Sequence, residues 1–196
     1  MGTRHLIAVQ LDGEYKIAQY GQWDGYLDGQ GKKVLNFLRE MDRSKFESAL
    51  RKCSFMTEQD FEKLDRDIKN RLQQNPRYNW FVEYPHLARD IAAGILKKVQ
   101  DSEGLKLKNS ISFAADSLFC EYAYVIDLDK NTFEIYEGFN KEPLSEDERF
   151  KDIVSGDAHD EYYPVRKVAE YSLNELPSDE DFIILYKALQ FSSTLP

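Results

Sequence analysis

The amino-acid sequence predicts an α+β fold, a mainly antiparallel sheet made from two hairpins plus a further strand and covered by several helices. Three observations lead there. Two extended-looking runs meet at Asp12-Gly13 near the start, a pair that accepts the left-handed backbone at both corners of a tight turn. A second stretch, LFCEYAYVIDLDKNTFEIYEG at 118–138, is rich in aromatic and β-branched residues, the composition of strands. Elsewhere apolar residues recur every three or four positions, as they do along one face of a helix.

Taken in order, residues 5–11 and 14–20 form the opening hairpin. Val34, Phe37, Leu38 and Met41 then repeat at helical spacing, and Ser44 with Glu47 three residues on forms a capping-box pattern for a second helix carrying Phe46, Leu50 and Cys53. Phe61, Leu64, Ile68 and Leu72 make a narrow apolar stripe on an otherwise charged segment, which predicts a surface helix packed loosely by one face. Asn75-Pro76 ends it. Pro85 opens a core helix lined by Leu87, Ile91, Ile95 and Val99 and widened by Ala88, Ala92 and Leu96. The second hairpin turns at Asp129-Lys130-Asn131, with Cys120, Tyr122, Tyr124 and Ile126 alternating onto one face. The segment 145–161 is acidic and irregular, YYPVRKVAEYSL reads as a further strand, and Ser178 with Asp181 caps a final helix bearing Phe182, Leu185, Tyr186 and Leu189. No repeat or linker divides the chain, so residues 1–196 are expected to form a single domain. The sheet order is not legible from the pattern.

The balance of charge narrows the partners. Thirty-five acidic against 26 basic residues give a net charge of −9, a field that repels phosphate backbones and anionic membrane surfaces. Neither nucleic acid nor membrane is expected as a partner. Cys53 and Cys120 stand far apart in no metal-ligand spacing, which predicts free thiols in a reducing compartment and no metal centre. No run approaches the roughly 18 apolar residues of a membrane span, and the first apolar run is too short for a signal peptide. Leu6 stands where a myristoylation pattern wants Ser or Thr. A soluble, cytoplasmic protein is the expectation.

The leading candidate site is YGQWDGYLDGQG at 20–31. Gly21, Gly25, Gly29 and Gly31 would let backbone approach a ligand, and the following helix would offer N–H groups at its start. Trp23 and Tyr26 are suited to stacking, Asp24 to hydrogen bonding and Lys32 to supplying charge, so a small polar or phosphorylated ligand is expected, with no cofactor specified. Asp116 and Ser117 would brace this loop if the two hairpins are neighbours, and the competing reading is a strand-entry turn. The glycine spacing matches neither a P-loop nor a dinucleotide fingerprint, and the competing reading is a plain turn. A third reading, from the acidic balance and the tyrosines, is a protein-interaction module without a pocket.

Other residues carry weaker signals. Asp127 to Gly138 begins like a calcium loop but has Thr132 in place of the glycine and Gly138 in place of the closing glutamate, which predicts a hairpin turn. The group Asp152, Asp157, His159, Asp160 and Glu161 reads as a solvated acidic run. His5, His86 and Cys120 read as structural.

Two resemblances follow from these residues. TRHLIAVQLDGEYKIA, after Gly2, looks loosely like the opening of proteasome-type N-terminal nucleophile hydrolases, in which a freed Thr3 amine would activate its own hydroxyl. Gln19 stands where that family has its catalytic aspartate, and Lys32 or Lys33 would approximate its lysine. Over nearly its whole length the chain resembles an uncharacterised protein family, chiefly of fungi with shorter relatives in bacteria and phages. The likeness lies in GTRHLI, YGQWDGY, GQG, NSISFAADSLFCEYAYVIDLDKNTFEIYEGFNK and EYYPVR, with Leu27 where proline is expected. It implies one intact domain in an intracellular setting, and it transfers no catalytic residues.

Overall fold

The opening hairpin of β1 (His5–Leu11) and β2 (Glu14–Gly21) turns on Asp12 and Gly13 with φ of 56° and 76°. This is a computed structural model, and it describes residues 2–154 and 161–192. The β1–β2 register slips by one residue: Gln10 faces Tyr15 but Val9 faces Ile17, leaving Lys16 as the extra residue of a bulge. After the glycine loop come α1 (Lys32–Glu40) and α2 (Arg43–Arg51). A two-residue strand β3 (Ser54–Phe55) leads to α3 (Glu58–Gln74) and the single turn α4 (Trp80–Glu83). Next are α5 (Gly94–Gln100) and the short β4 (Lys106–Leu107), which pairs in parallel with β3. The second hairpin is β5 (Tyr122–Asp127) and β6 (Thr132–Glu137), followed by β7 (Arg166–Ser172) and α6 (Asp179–Ser192).

The five longer strands form one sheet in the order β2-β1-β5-β6-β7, antiparallel except where β1 runs parallel to β5. The expected α+β architecture is therefore present. Alternation along the strands gives the sheet two buried faces. Ile7, Val9, Tyr124, Ile126, Phe133 and Ile135 pack under α1, α2, α5 and α6. Leu6, Ala8, Ala123, Val125 and Tyr136 pack on the other side beneath Ala114, Phe150 and Val165. Among the described residues no helix is long and apolar enough to cross a membrane.

Several local expectations are corrected. The cap of α2 is Asp42, whose side chain accepts from Lys45 N–H at 3.0 Å, so Ser44 falls inside the helix and Glu47 pairs with Arg43 and Arg51 instead. The helix expected from Pro85 is broken into two 3-10 turns and α5, because Ala88 is extended (ψ 136°) and Ala92 takes a positive φ of 44°. Cys120 joins Leu6 and Ala8 on the face opposite Tyr122 and Tyr124, since the chain turns before β5 begins. The loosely packed surface helix is α3, capped by a Thr57–Asp60 box and carrying no buried residue. Asp157, His159 and Asp160 lie outside the described residues.

Candidate functional site

Residues 21–31 leave the end of β2, cross the start of β1 and close with a π-helical turn at Leu27–Gly31 before α1. The loop is fastened from below. Gly25 N–H donates to the Thr3 carbonyl at 3.0 Å, and the buried Tyr124 hydroxyl donates to the Gly25 carbonyl at 2.7 Å. Gln30 N–H donates to the Asp24 carbonyl at 2.8 Å, while the Gln30 side chain accepts from Ala93 N–H at 3.2 Å. Burial holds the Tyr124 phenol well above its ordinary pKa, so it stays a neutral donor.

Each glycine is required by what lies against it. A Cβ at Gly21 would stand 2.2 Å from two atoms of the His5 ring, and one at Gly25 would stand 2.7 Å from the Thr3 carbonyl oxygen and 2.9 Å from His5 Cβ. At Gly29 the obstacle is the Asp24 carboxylate, 2.3 Å away, and at Gly31 it is the Tyr124 hydroxyl at 2.8 Å. The spaces that a phosphate would enter are thus filled by the protein's own side chains. The amides of Gly29 and Gly31 are spent as well, since both donate to the Tyr26 carbonyl at 3.1 Å. The lysines expected to add charge are paired, Lys32 with Asp179 at 2.9 Å and Lys33 with Asp24 at 3.1 Å. The amides of Gly25, Gly29 and Gly31 and both lysines, the donors an anion cradle would use, are thus engaged within the protein.

What the loop presents outward is aromatic. Trp23 is 53% exposed and Tyr26 38%. Tyr26 leans on Tyr122 and Tyr186, with ring centroids 6.1 and 6.2 Å away, whereas Trp23 rests on no other ring among the described residues and lies over Gly2. Asp24 sits in the left-handed region at φ 61°, a conformation Asp adopts more readily than most residues.

Beneath the loop His5 is fully buried, and among the described residues neither ring nitrogen has a hydrogen-bond partner. The nearby Thr3 carbonyl, which would favour a protonated ring, already accepts from Gly25. Burial pushes the imidazole down to about 4, against a smaller upward pull from Thr3 and Asp24. Sequence reasoning placed His5 apart from the loop and did not find Tyr124 or Gln30.

The Asp116 carbonyl and Ser117 serve a different turn. Ser117 Oγ accepts from Asn140 N–H at 3.0 Å and its carbonyl from Phe139 N–H at 2.7 Å, while the Asp116 carbonyl accepts from Phe119 and Cys120. The hydrogen bonds of Ser117 therefore brace the chain leaving β6 and not the glycine loop. Thr3 is buried, and Gln19 donates to the carbonyls of Tyr20 and Ala88. Both cysteines are buried free thiols, and burial raises their pKa values, which makes them poor nucleophiles. Among the described residues no group of three or more His, Cys, Asp or Glu is placed to hold a metal ion.

On the opposite face of the sheet lies a buried ionic cluster that the sequence pattern did not reveal. The Arg149 guanidinium grips Glu134 with two bonds of 2.6 and 2.7 Å, reaches Asp127 at 2.5 Å and also donates to Gln10. All three charged side chains are at most 9% exposed. Each carboxylate has further donors, Asp127 from the amides of Asp129 and Lys130, Glu134 from Thr132 and Tyr136. A network so fully satisfied fixes the segment around Phe150 to the sheet. Comparison with protein-family models, with curated proteins and with solved structures gives no match.

Proposed function

We propose that the protein binds a small polar ligand at the 21–31 loop, with Trp23 and Tyr26 as stacking faces and Asp24 as the hydrogen-bonding group. One observation carries this reading: an exposed tryptophan stands on a loop whose amides and glycines are committed to holding it rigid. A pre-positioned aromatic face loses little freedom on binding. The paired lysines and engaged glycine amides favour a neutral ligand over a phosphorylated one, because Asp24 and Lys33 neutralise each other beside the rings. No catalytic residue is assigned.

The test is native mass spectrometry of protein taken from its natural host cell, followed by denaturing intact mass. A retained small molecule supports the reading and names the ligand. An empty chain counts against it. The intact mass also decides the hydrolase alternative, which needs a chain beginning at Thr3 and fails if Gly2 is retained. The interaction-module reading draws on Phe81 and Val82, which are 47% and 78% exposed, and gains if a protein co-purifies and no small molecule does.

A further inference from the structure

A second concavity lies away from the loop, between α3 and the body of the protein. α3 carries its apolar stripe without burying any residue. It is held by polar clasps: Asp60 to Lys106 at 2.5 Å, Asp67 to the Tyr84 hydroxyl at 3.2 Å, and Arg71 to Glu83 at 2.8 Å. Between these clasps is a cleft of about 530 Å³, within the range of small-molecule sites. Its apolar wall is made by Met56, Leu64, Leu87 and the ring of Tyr84. The α3 residues lining it run from Asp60 to Asn70, about 15 Å of helix.

The polar groups of the cleft divide into spent and free. Its two carboxylates are answered, Asp60 by Lys106 and Thr57, Asp67 by Arg71 and Tyr84. The Lys106 bond holds the Asp60 carboxyl down to about 2, so it stays ionised. Lys63, Asn70 and His86 line the same cleft, and among the described residues none of these three side chains has a hydrogen bond or ion pair to the protein. Arg66 has one long contact, 3.6 Å to Glu62, between exposed side chains, worth little in water. Every carboxylate is neutralised within the site while a lysine and neutral donors stay open, in a chain whose net charge is −9.

We infer that this cleft binds a small anionic amphiphile, a carboxylate head meeting Lys63 and Asn70 with its apolar chain lying under Leu64 against Met56 and Leu87. The chain covers Leu64, the residue of the α3 stripe that lines the cleft. The head supplies the acceptor that the free donors lack.

The experiment titrates decanoate and, separately, decanol into the full chain, followed by calorimetry and by amide NMR shifts on α3. Decanoate binds at least about tenfold tighter than decanol, and Lys63→Glu removes that preference with little change in Tm, because Lys63 is exposed and its side chain has no partner among the described residues. Lys63→Arg keeps it. Trp23→Ala leaves decanoate affinity unchanged, which separates this site from the loop. Absent decanoate binding, equal affinity for decanol, unaltered binding by Lys63→Glu, or loss of binding in Trp23→Ala would each overturn the inference.

Discussion

The His5 imidazole lies against Gly21, its direct partner across the β1–β2 pair, so closely that any side chain at position 21 would meet the ring. This contact ties the first strand to the loop. Gly21→Ala should destabilise the protein by about 1–3 kcal/mol, the range for overpacking a closed site. In a His5→Ala background the same substitution should cost far less. A double-mutant cycle by urea unfolding measures the coupling, and additive effects would show that the ring is not what excludes a side chain.

The same histidine sets a pH dependence. Its folded pKa lies near 4 and its unfolded value near 6.5, so the unfolded chain binds the proton more readily. Stability from this group is therefore complete above pH 6.5 and declines as the pH falls from 6.5 towards 4, by roughly 3 kcal/mol at the lower end. His5→Leu should flatten that part of the curve. It should leave the protein at least as stable at pH 8, because two buried nitrogens without partners among the described residues are removed. Unfolding free energy measured across pH 4–8 checks both statements.

Arg149 offers a larger effect. Arg149→Met would strand Asp127 and Glu134 as buried charges, and a loss of about 3–5 kcal/mol is expected. Burial opposes the ionised form of Glu134, but the hydrogen bonds from Arg149 and Tyr136 prevail and hold its pKa below the ordinary value. That contribution is present above the unfolded pKa and is lost as the pH falls through the folded one. In Arg149→Met the acid limb should start at higher pH, because Glu134 then regains its proton more readily. A loss below 1 kcal/mol would mean that the cluster is dispensable.

How much of this was legible in the sequence depends on the range of the cause. Asp12-Gly13 announced the first hairpin because its turn is encoded in two adjacent residues. The bulge at Lys16 was not legible, yet it decides that Gly21 and not Tyr20 faces His5. Asp42 was passed over for Ser44 because both are good caps and only the chain direction chooses between them. The glycine loop stood out in composition, but the reason for its glycines did not. They accommodate His5, Asp24 and Tyr124, and Tyr124 is 93 residues beyond Gly31 and brought there only by the parallel pairing of β1 with β5. The Arg149 cluster was hidden for the same reason, since its partners come from three separate stretches of chain.

The central claim, that the loop is a rigid platform presenting Trp23 to a ligand, is tested most directly by comparing wild-type protein and Trp23→Ala, both expressed in the natural host cell, by native mass spectrometry alongside their melting temperatures. The account predicts that the wild-type chain retains a small molecule and that Trp23→Ala loses it while stability changes by less than about 1 kcal/mol, as for an exposed side chain. Equal retention by both proteins, or a loss of binding that merely follows a loss of stability, would contradict it.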